Sequence, residues 1–209
     1  MSQDHDHGHH PVPPSDVEAR ALALESLLRE KGLVSGDEID RIVSAYEHDI
    51  GPMIGARVVA RAWVDHEYRR RLLSDAPSAV AELDLGSPPA GNLVVVENTP
   101  DVHNVVVCTL CSCYPWAVLG LPPSWYKSAA YRSRTVREPR AVLREFGLEL
   151  PPSVRVNVWD SSSDLRYMVL PGRPAGTEGW SEDDLAALVT RDSMIGVALP
   201  QAPVRSGSG

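Results

Sequence analysis

All three cysteines of this chain fall within six residues, Cys108-Thr109-Leu110-Cys111-Ser112-Cys113, and this clustering constrains the chain more than any other feature. A disulfide framework needs an even number of cysteines spread along the sequence, so a single tight trio excludes one. Thiolates at positions i, i+3 and i+5 converge only where the backbone turns sharply, and the usual reason for such crowding is a metal that accepts sulfur. Spacing alone does not choose the chemistry. A structural zinc site wants four ligands, and with no second cysteine pair His103 or a remote histidine would have to supply the fourth. An iron–sulfur cluster likewise normally takes four cysteines. A redox disulfide between Cys108 and Cys111 satisfies C-x-x-C but lacks the strand-to-helix placement expected of that motif. Zinc, a redox pair and a less common metal stand level on this evidence.

Composition narrows the setting. With 209 residues, 43% of them hydrophobic, the chain can bury a sizeable core in one domain with or without an extension. No run of about 18 apolar residues occurs, and the first residues are polar, so neither a membrane span nor a secretory signal is expected and the reading is cytoplasmic. A formal charge of −8 argues against a nucleic-acid surface. The positive charge is nearly all arginine, Lys31 and Lys127 being the only lysines.

Residues 1–14 carry His5, His7, His9 and His10, then Pro11, Pro13 and Pro14, a composition expected to stay disordered as a solvated tail. Neutral imidazoles there could also collect nickel, cobalt or zinc. Ser15 with Glu18, and Ser35 with Glu38, are capping-box signatures that open two amphipathic helices across 15–50, read as a helical arm that packs on the core or on a partner. Residues 53–64 and 66–84 also read as helical, the second with a break at Pro77. After Gly86 the character changes: 93–96 and 102–107 are short β-branched runs separated by a turn at 98–101, and the cysteine cluster follows the second run on a loop that stays irregular for about a dozen residues. A helix near 139–146, strands at 154–159 and 166–170 and a helix begun by Ser181 complete the reading. The expected fold is α+β, an N-terminal helical arm followed by a compact layered α/β domain over 51–200 that carries the cysteine loop, with 201–209 as a flexible tail.

The residues around the cluster resemble the nitrile hydratase α subunit. The resemblance rests on Val107 through Trp116, Val118-Leu119-Gly120-Leu121-Pro122-Pro123, Trp125-Tyr126-Lys127, Val136-Arg137-Glu138-Pro139-Arg140, Trp159-Asp160-Ser161-Ser162 and Arg173 through Trp180. With upstream segments such as Val95-Val96-Glu97-Asn98-Thr99-Pro100, it covers nearly everything from about residue 15 to 198. It implies a metal held by the sulfurs of Cys108, Cys111 and Cys113 and by the deprotonated backbone nitrogens of Ser112 and Cys113, with a sixth position open. It further implies that Cys111 is oxidised to a sulfinic acid and Cys113 to a sulfenic acid, Cys108 remaining a thiolate. Family members with Thr at the position of Thr109 are cobalt enzymes as a rule, so Co(III) stands ahead of Fe(III). Ser112 and Cys113 are the implied catalytic positions, and the implied reaction is hydration of a nitrile to a primary amide. A trivalent ion in such a donor set leaves a net charge of roughly −2, which calls for cationic neighbours. By resemblance these arginines come from a β-type partner in a hetero-oligomer, and a cobalt-delivering activator protein is a further implied partner.

Trp116 is the candidate wall of a substrate pocket, against the plainer reading of a core tryptophan. Arg166 and Arg137 are candidates for stabilising the anionic centre or an interface, and Glu97 for a buried polar partner at a strand end. Two positions depart from the family pattern: Pro89-Ala90-Gly91-Asn92 stands where many relatives carry Gln-Gly-Glu, and Ala117 where Pro is common, so pocket shape is expected to differ. The thiocyanate hydrolase γ subunit shares the cluster. Trp116 favours a neutral nitrile over its anionic substrate, since those enzymes tend to carry Arg there. A non-catalytic, cobalt-carrying subunit is the remaining alternative.

Overall fold

The computed structural model describes residues 16–44, 51–86 and 89–202. The tail 1–14, the first capping signature at Ser15 and the last few residues of the helical-arm reading lie outside the described residues, as does the C-terminal stretch from 203 onward. The chain divides into two compact units, Met1–Ser44 and Ala45–Gly209.

The first unit contributes α1 (Asp16–Glu30) and α2 (Gly36–Ser44). The second capping signature forms as expected: Ser35 Oγ accepts from the Glu38 N–H at 3.2 Å while the Glu38 carboxylate accepts from the Ser35 N–H at 2.9 Å. Along this unit Val17, Leu22, Leu24, Leu27, Leu28 and Leu33 are exposed.

The second unit opens with α3 (Pro52–Val64), α4 (His66–Ser74) and α5 (Ala76–Ala81). The expected break in the 66–84 segment falls at Asp75, two residues earlier than Pro77. Asp75 ends α4 and accepts the Ser78 N–H, and Pro77 sits in the first turn of α5, where its missing N–H costs nothing. α3 is buried on most of its surface, with Ile54, Ala56, Val58, Val59, Ala60 and Ala62 in the core.

Four strands follow, with helical segments among them: β1 (Leu93–Glu97), β2 (Val102–Val107), β3 (Arg155–Asp160) and β4 (Arg166–Leu170). The turn between β1 and β2 makes no hairpin beyond one bridge, Thr99 to Val102. Instead β1 pairs with β4 and β2 with β3, both in parallel, so each sheet joins segments far apart in sequence. Asn104 ties the pairs together: its backbone N–H and side-chain amide donate to Asn98 Oδ1 and the Glu97 carbonyl, and its side-chain oxygen accepts from the Trp159 indole at 2.8 Å. β2 is buried from His103 to Val107, whereas β3 is mostly half-buried, so its alternating valines produce no clean inside and outside.

The segment after the cysteines is more regular than expected. It holds α6 (Trp116–Leu119), a 3₁₀ turn (Ser124–Lys127) and α7 (Ala129–Thr135), then α8 (Pro139–Glu145). The last helices among the described residues are α9 (Glu182–Ala186), capped by Ser181 as expected, and α10 (Arg191–Ile195), opened by a Thr190–Ser193 capping box. Two glycines bring helices close to the site. A Cβ on Gly55 would lie 2.8 Å from the Val118 carbonyl, and one on Gly196, whose φ is +93°, would lie 2.0 Å from the Asn104 carbonyl. No helix among the described residues is long and apolar enough to cross a membrane. The α+β reading holds, with the cysteine loop leaving the C-terminal end of β2.

Candidate metal centre

The loop is fixed at both ends before any ligand is considered. Parallel pairing places Val107 opposite Asp160, the last residue of β3, and the Ser161 N–H donates to the Val107 carbonyl at 2.7 Å. Asp160 therefore faces the residue just past Cys108. Its two carboxylate oxygens accept from the Thr109 N–H at 2.9 Å and the Thr109 hydroxyl at 2.5 Å, a forked clamp that bends the chain out of the strand. Beyond the bend, the Cys111 N–H donates to Cys108 Sγ at 3.3 Å. Tyr126, on the 3₁₀ turn, donates its hydroxyl to the Cys113 carbonyl at 2.9 Å, and Arg132, on α7, donates to the Cys111 carbonyl at 2.9 Å. An aromatic cluster backs these anchors: Tyr114 lies 5.1 Å from Tyr126, and Trp125 lies 4.9 Å from Tyr131 and 4.7 Å from Phe146.

So held, the three sulfurs converge. Cys108 and Cys111 Sγ are 3.5 Å apart, Cys111 and Cys113 Sγ 3.1 Å apart, and all three lie within 4.8 Å of one another. No histidine or carboxylate joins them among the described residues. His103 does not serve as a fourth ligand: it is buried in β2, with Nε2 at 2.7 Å from the Gly196 carbonyl and Nδ1 at 3.2 Å from the Asn98 amide nitrogen. A carbonyl only accepts, so Nε2 carries the proton and both ring nitrogens are occupied. Burial holds its pKa below the ordinary value.

The donor set is therefore three sulfurs plus whatever backbone the loop presents, a soft and electron-rich combination that fits a thiophilic ion rather than a closed four-ligand zinc. Hydrogen bonds from Cys113 and Cys108 lower the Cys111 thiol, while burial and the contact with Cys111 push Cys113 upward. Exposure is graded. Cys108 is fully buried, Cys113 intermediate and Cys111 exposed.

A recess of about 390 Å³ adjoins the loop through Tyr114, the residue after Cys113. Pro89, Ala90, Gly91, Trp116, Ala117 and Arg166 line it, so both departures from the family pattern and two of the residues singled out in the sequence meet at one place. Trp116 is 44% exposed, which removes it from the core, and Leu110 at the loop tip is 83% exposed. Arg137 donates to the Ser133 carbonyl of α7 and Glu97 pairs with Arg69, so neither is held by the cluster. Asp160, Tyr126 and Arg132 are the site residues that sequence reasoning gave no role. Asp160 and Tyr126 lie within motifs that carry the resemblance, but Arg132 does not.

A family model described as nitrile hydratase, alpha chain, matches residues 15–198 of this sequence. The chain belongs to the nitrile hydratase alpha-chain family. Within the family it is 56% identical over 196 residues to the low-molecular weight cobalt-containing nitrile hydratase subunit alpha of Rhodococcus rhodochrous, covering 94% of this chain and 95% of that one. A solved structure of an Fe-type nitrile hydratase double mutant from Comamonas testosteroni Ni1 superposes with a TM-score of 0.84 at 46% identity, covering 92% of this chain and 94% of that one. Relatedness extends to thiocyanate hydrolase subunit gamma of Thiobacillus thioparus, 48% identical over 198 residues, 90% of this chain and 81% of that one.

Proposed function

We propose that this chain is the metal-bearing catalytic subunit of a nitrile hydratase, adding water to an organic nitrile to give the primary amide. The observation that carries the proposal is the convergence of Cys108, Cys111 and Cys113 with graded exposure. Thiol oxidation follows access, so the buried Cys108 is expected to remain a thiolate, the intermediate Cys113 to take one oxygen and the exposed Cys111 two. That order supports the sulfenic and sulfinic assignments made by resemblance. The sulfurs and the backbone nitrogens of Ser112 and Cys113 would hold Co(III), in keeping with the cobalt-containing relative of Rhodococcus rhodochrous.

When bound, a trivalent cobalt ion supplies Lewis acidity that makes a nitrile carbon electrophilic without redox change. The chain's residues do the rest. The sulfenate oxygen of Cys113 either adds to the nitrile carbon, water then restoring it, or takes a proton from an attacking water. Each route consumes one water, places its oxygen equivalent on carbon and leaves two protons on nitrogen. Trp116 and Tyr114 form the apolar side of the recess that receives the nitrile's organic group. A single turnover in labelled water separates the routes: unlabelled oxygen in the first amide marks attack by sulfenate.

Leu110, within the cysteine loop, and Trp116, three residues past it, stand exposed, an apolar rim that a second chain would cover. We assign that cover to a β-type subunit in a hetero-oligomer, contributing arginines toward the anionic centre. A cobalt-delivering activator protein and a cytoplasmic location complete the reading. Co-producing the full chain with its β-type partner in cobalt-supplied cells should give carboxamide from nitriles with about one cobalt per chain. A zinc-loaded complex inert toward nitriles would refute it. The second reading, thiocyanate hydrolysis, is motivated by the relative from Thiobacillus thioparus. An exposed indole at the recess suits a neutral substrate better than an anion, and ammonia release distinguishes the two because nitrile hydration yields none.

A further inference from the structure

Arg132 lies on α7, twenty-one residues beyond the cysteine whose carbonyl it reaches. Among the described residues none of the ion pairs involves it, whereas Arg134, one half-turn further along α7, is engaged by both Glu138 and Glu145. Its Nε–H is buried without a partner, so the guanidinium enters the protein at some cost and its one hydrogen bond described above goes to the loop.

The accepting oxygen has a particular place in the covalent structure. The Cys111 carbonyl and the Ser112 nitrogen belong to one peptide group, whose oxygen and nitrogen share electrons by resonance. When that nitrogen serves as an anionic ligand, part of its charge resides on the Cys111 oxygen. The other anchored carbonyl offers a contrast: Cys113 O, held by the neutral Tyr126 hydroxyl, belongs to the peptide group of Tyr114, whose nitrogen is not a ligand in this reading. The charged donor thus meets the peptide that would carry charge, and the neutral donor meets one that would not.

We propose that Arg132 is a positioning residue of the metal loop, its guanidinium compensating the charge on the Cys111–Ser112 peptide through the Cys111 oxygen and so favouring the Ser112 nitrogen as a ligand. The inference rests on the proposed ligand set. It assigns to this chain one of the cations that an anionic centre requires, in addition to those expected from a partner.

The test compares wild type, Arg132→Lys, Arg132→Gln and Arg132→Met, each co-produced with the β-type partner at limiting cobalt. Readouts are cobalt per chain, the sulfur-to-cobalt charge-transfer absorption of the loaded complex, and the circular dichroism melt as a check on folding. The expected result is cobalt content on the order of tenfold lower in Arg132→Met, with a displaced absorption band, and substantial recovery of both in Arg132→Lys. Equal loading and an unchanged band in Arg132→Met would overturn the proposal while leaving the metal reading intact. A lysine variant as deficient as the methionine one would also overturn it, because charge would not be the operative property. Should Arg132→Met not fold, Arg132→Gln carries the same comparison with lysine, since it keeps a donor but removes the charge. Wild type that takes up no trivalent cobalt would instead overturn the ligand set, and this inference with it.

Discussion

Asp160 accepts two hydrogen bonds from Thr109 and thereby sets the bend that delivers Cys111 and Cys113 to Cys108. Replacing it with Asn keeps the shape but exchanges one charged acceptor for an amide, at a cost of about 1–2 kcal/mol. Asp160→Asn should therefore retain the fold, measured by circular dichroism, while cobalt per chain falls severalfold. Full loading in the variant would mean that the loop closes without this clamp. Trp116 acts at a different step. As a wall of the recess rather than a loop anchor, Trp116→Ala should leave cobalt content intact and raise KM for a nitrile by roughly tenfold, about the worth of a buried aromatic contact. Steady-state kinetics with matched metal analysis checks both halves. The cysteines and Trp116 were legible in the sequence because spacing and flanking residues mark them. Arg132 was not, because its partner is a backbone carbonyl, and a carbonyl belongs to every residue alike.

At the scale of elements, the junction of β2 with α10 holds the strand that leads to the cysteines. Gly196 closes α10 in the left-handed region against Asn104, with no room for a Cβ. Gly196→Ala should cost more than about 2 kcal/mol and lower Tm by roughly 4–8 °C. His103 joins the same two elements as a neutral ring donating to Gly196. Its folded pKa lies below its ordinary value of 6.5, so the unfolded chain takes up its proton first as pH falls. Its stabilising share is thus present above pH 6.5 and is lost on descending toward the folded pKa. A denaturant midpoint that falls below pH 6.5 in wild type and falls less in His103→Gln is the expected outcome. The sequence showed those elements whose signals are local: the Ser35–Glu38 box, the Ser181 cap and the valine runs. It missed α6, α7 and α10 because segments of four to seven residues hold fewer than two turns, too short for a 3.6-residue period to register. The pairings of β1 with β4 and of β2 with β3 were also hidden, since partners about 50 to 70 residues apart are chosen by packing rather than by local pattern.

For the whole molecule, a site with an exposed Leu110 and a half-exposed Trp116 beside it is one that the chain does not enclose alone. Deleting residues 1–14 should leave cobalt content and nitrile-hydrating activity unchanged, since metal capture is assigned to the cysteine loop. Loss of cobalt on deletion would revive a metal-collecting role for the histidine tract. The most direct measurement is the mass of the peptide spanning Cys108 to Cys113, taken together with elemental analysis of the intact complex. Two oxygens on Cys111 and one on Cys113, about 48 Da over the three thiols, with one cobalt per chain, is the predicted result. Three unmodified thiols around zinc would contradict it.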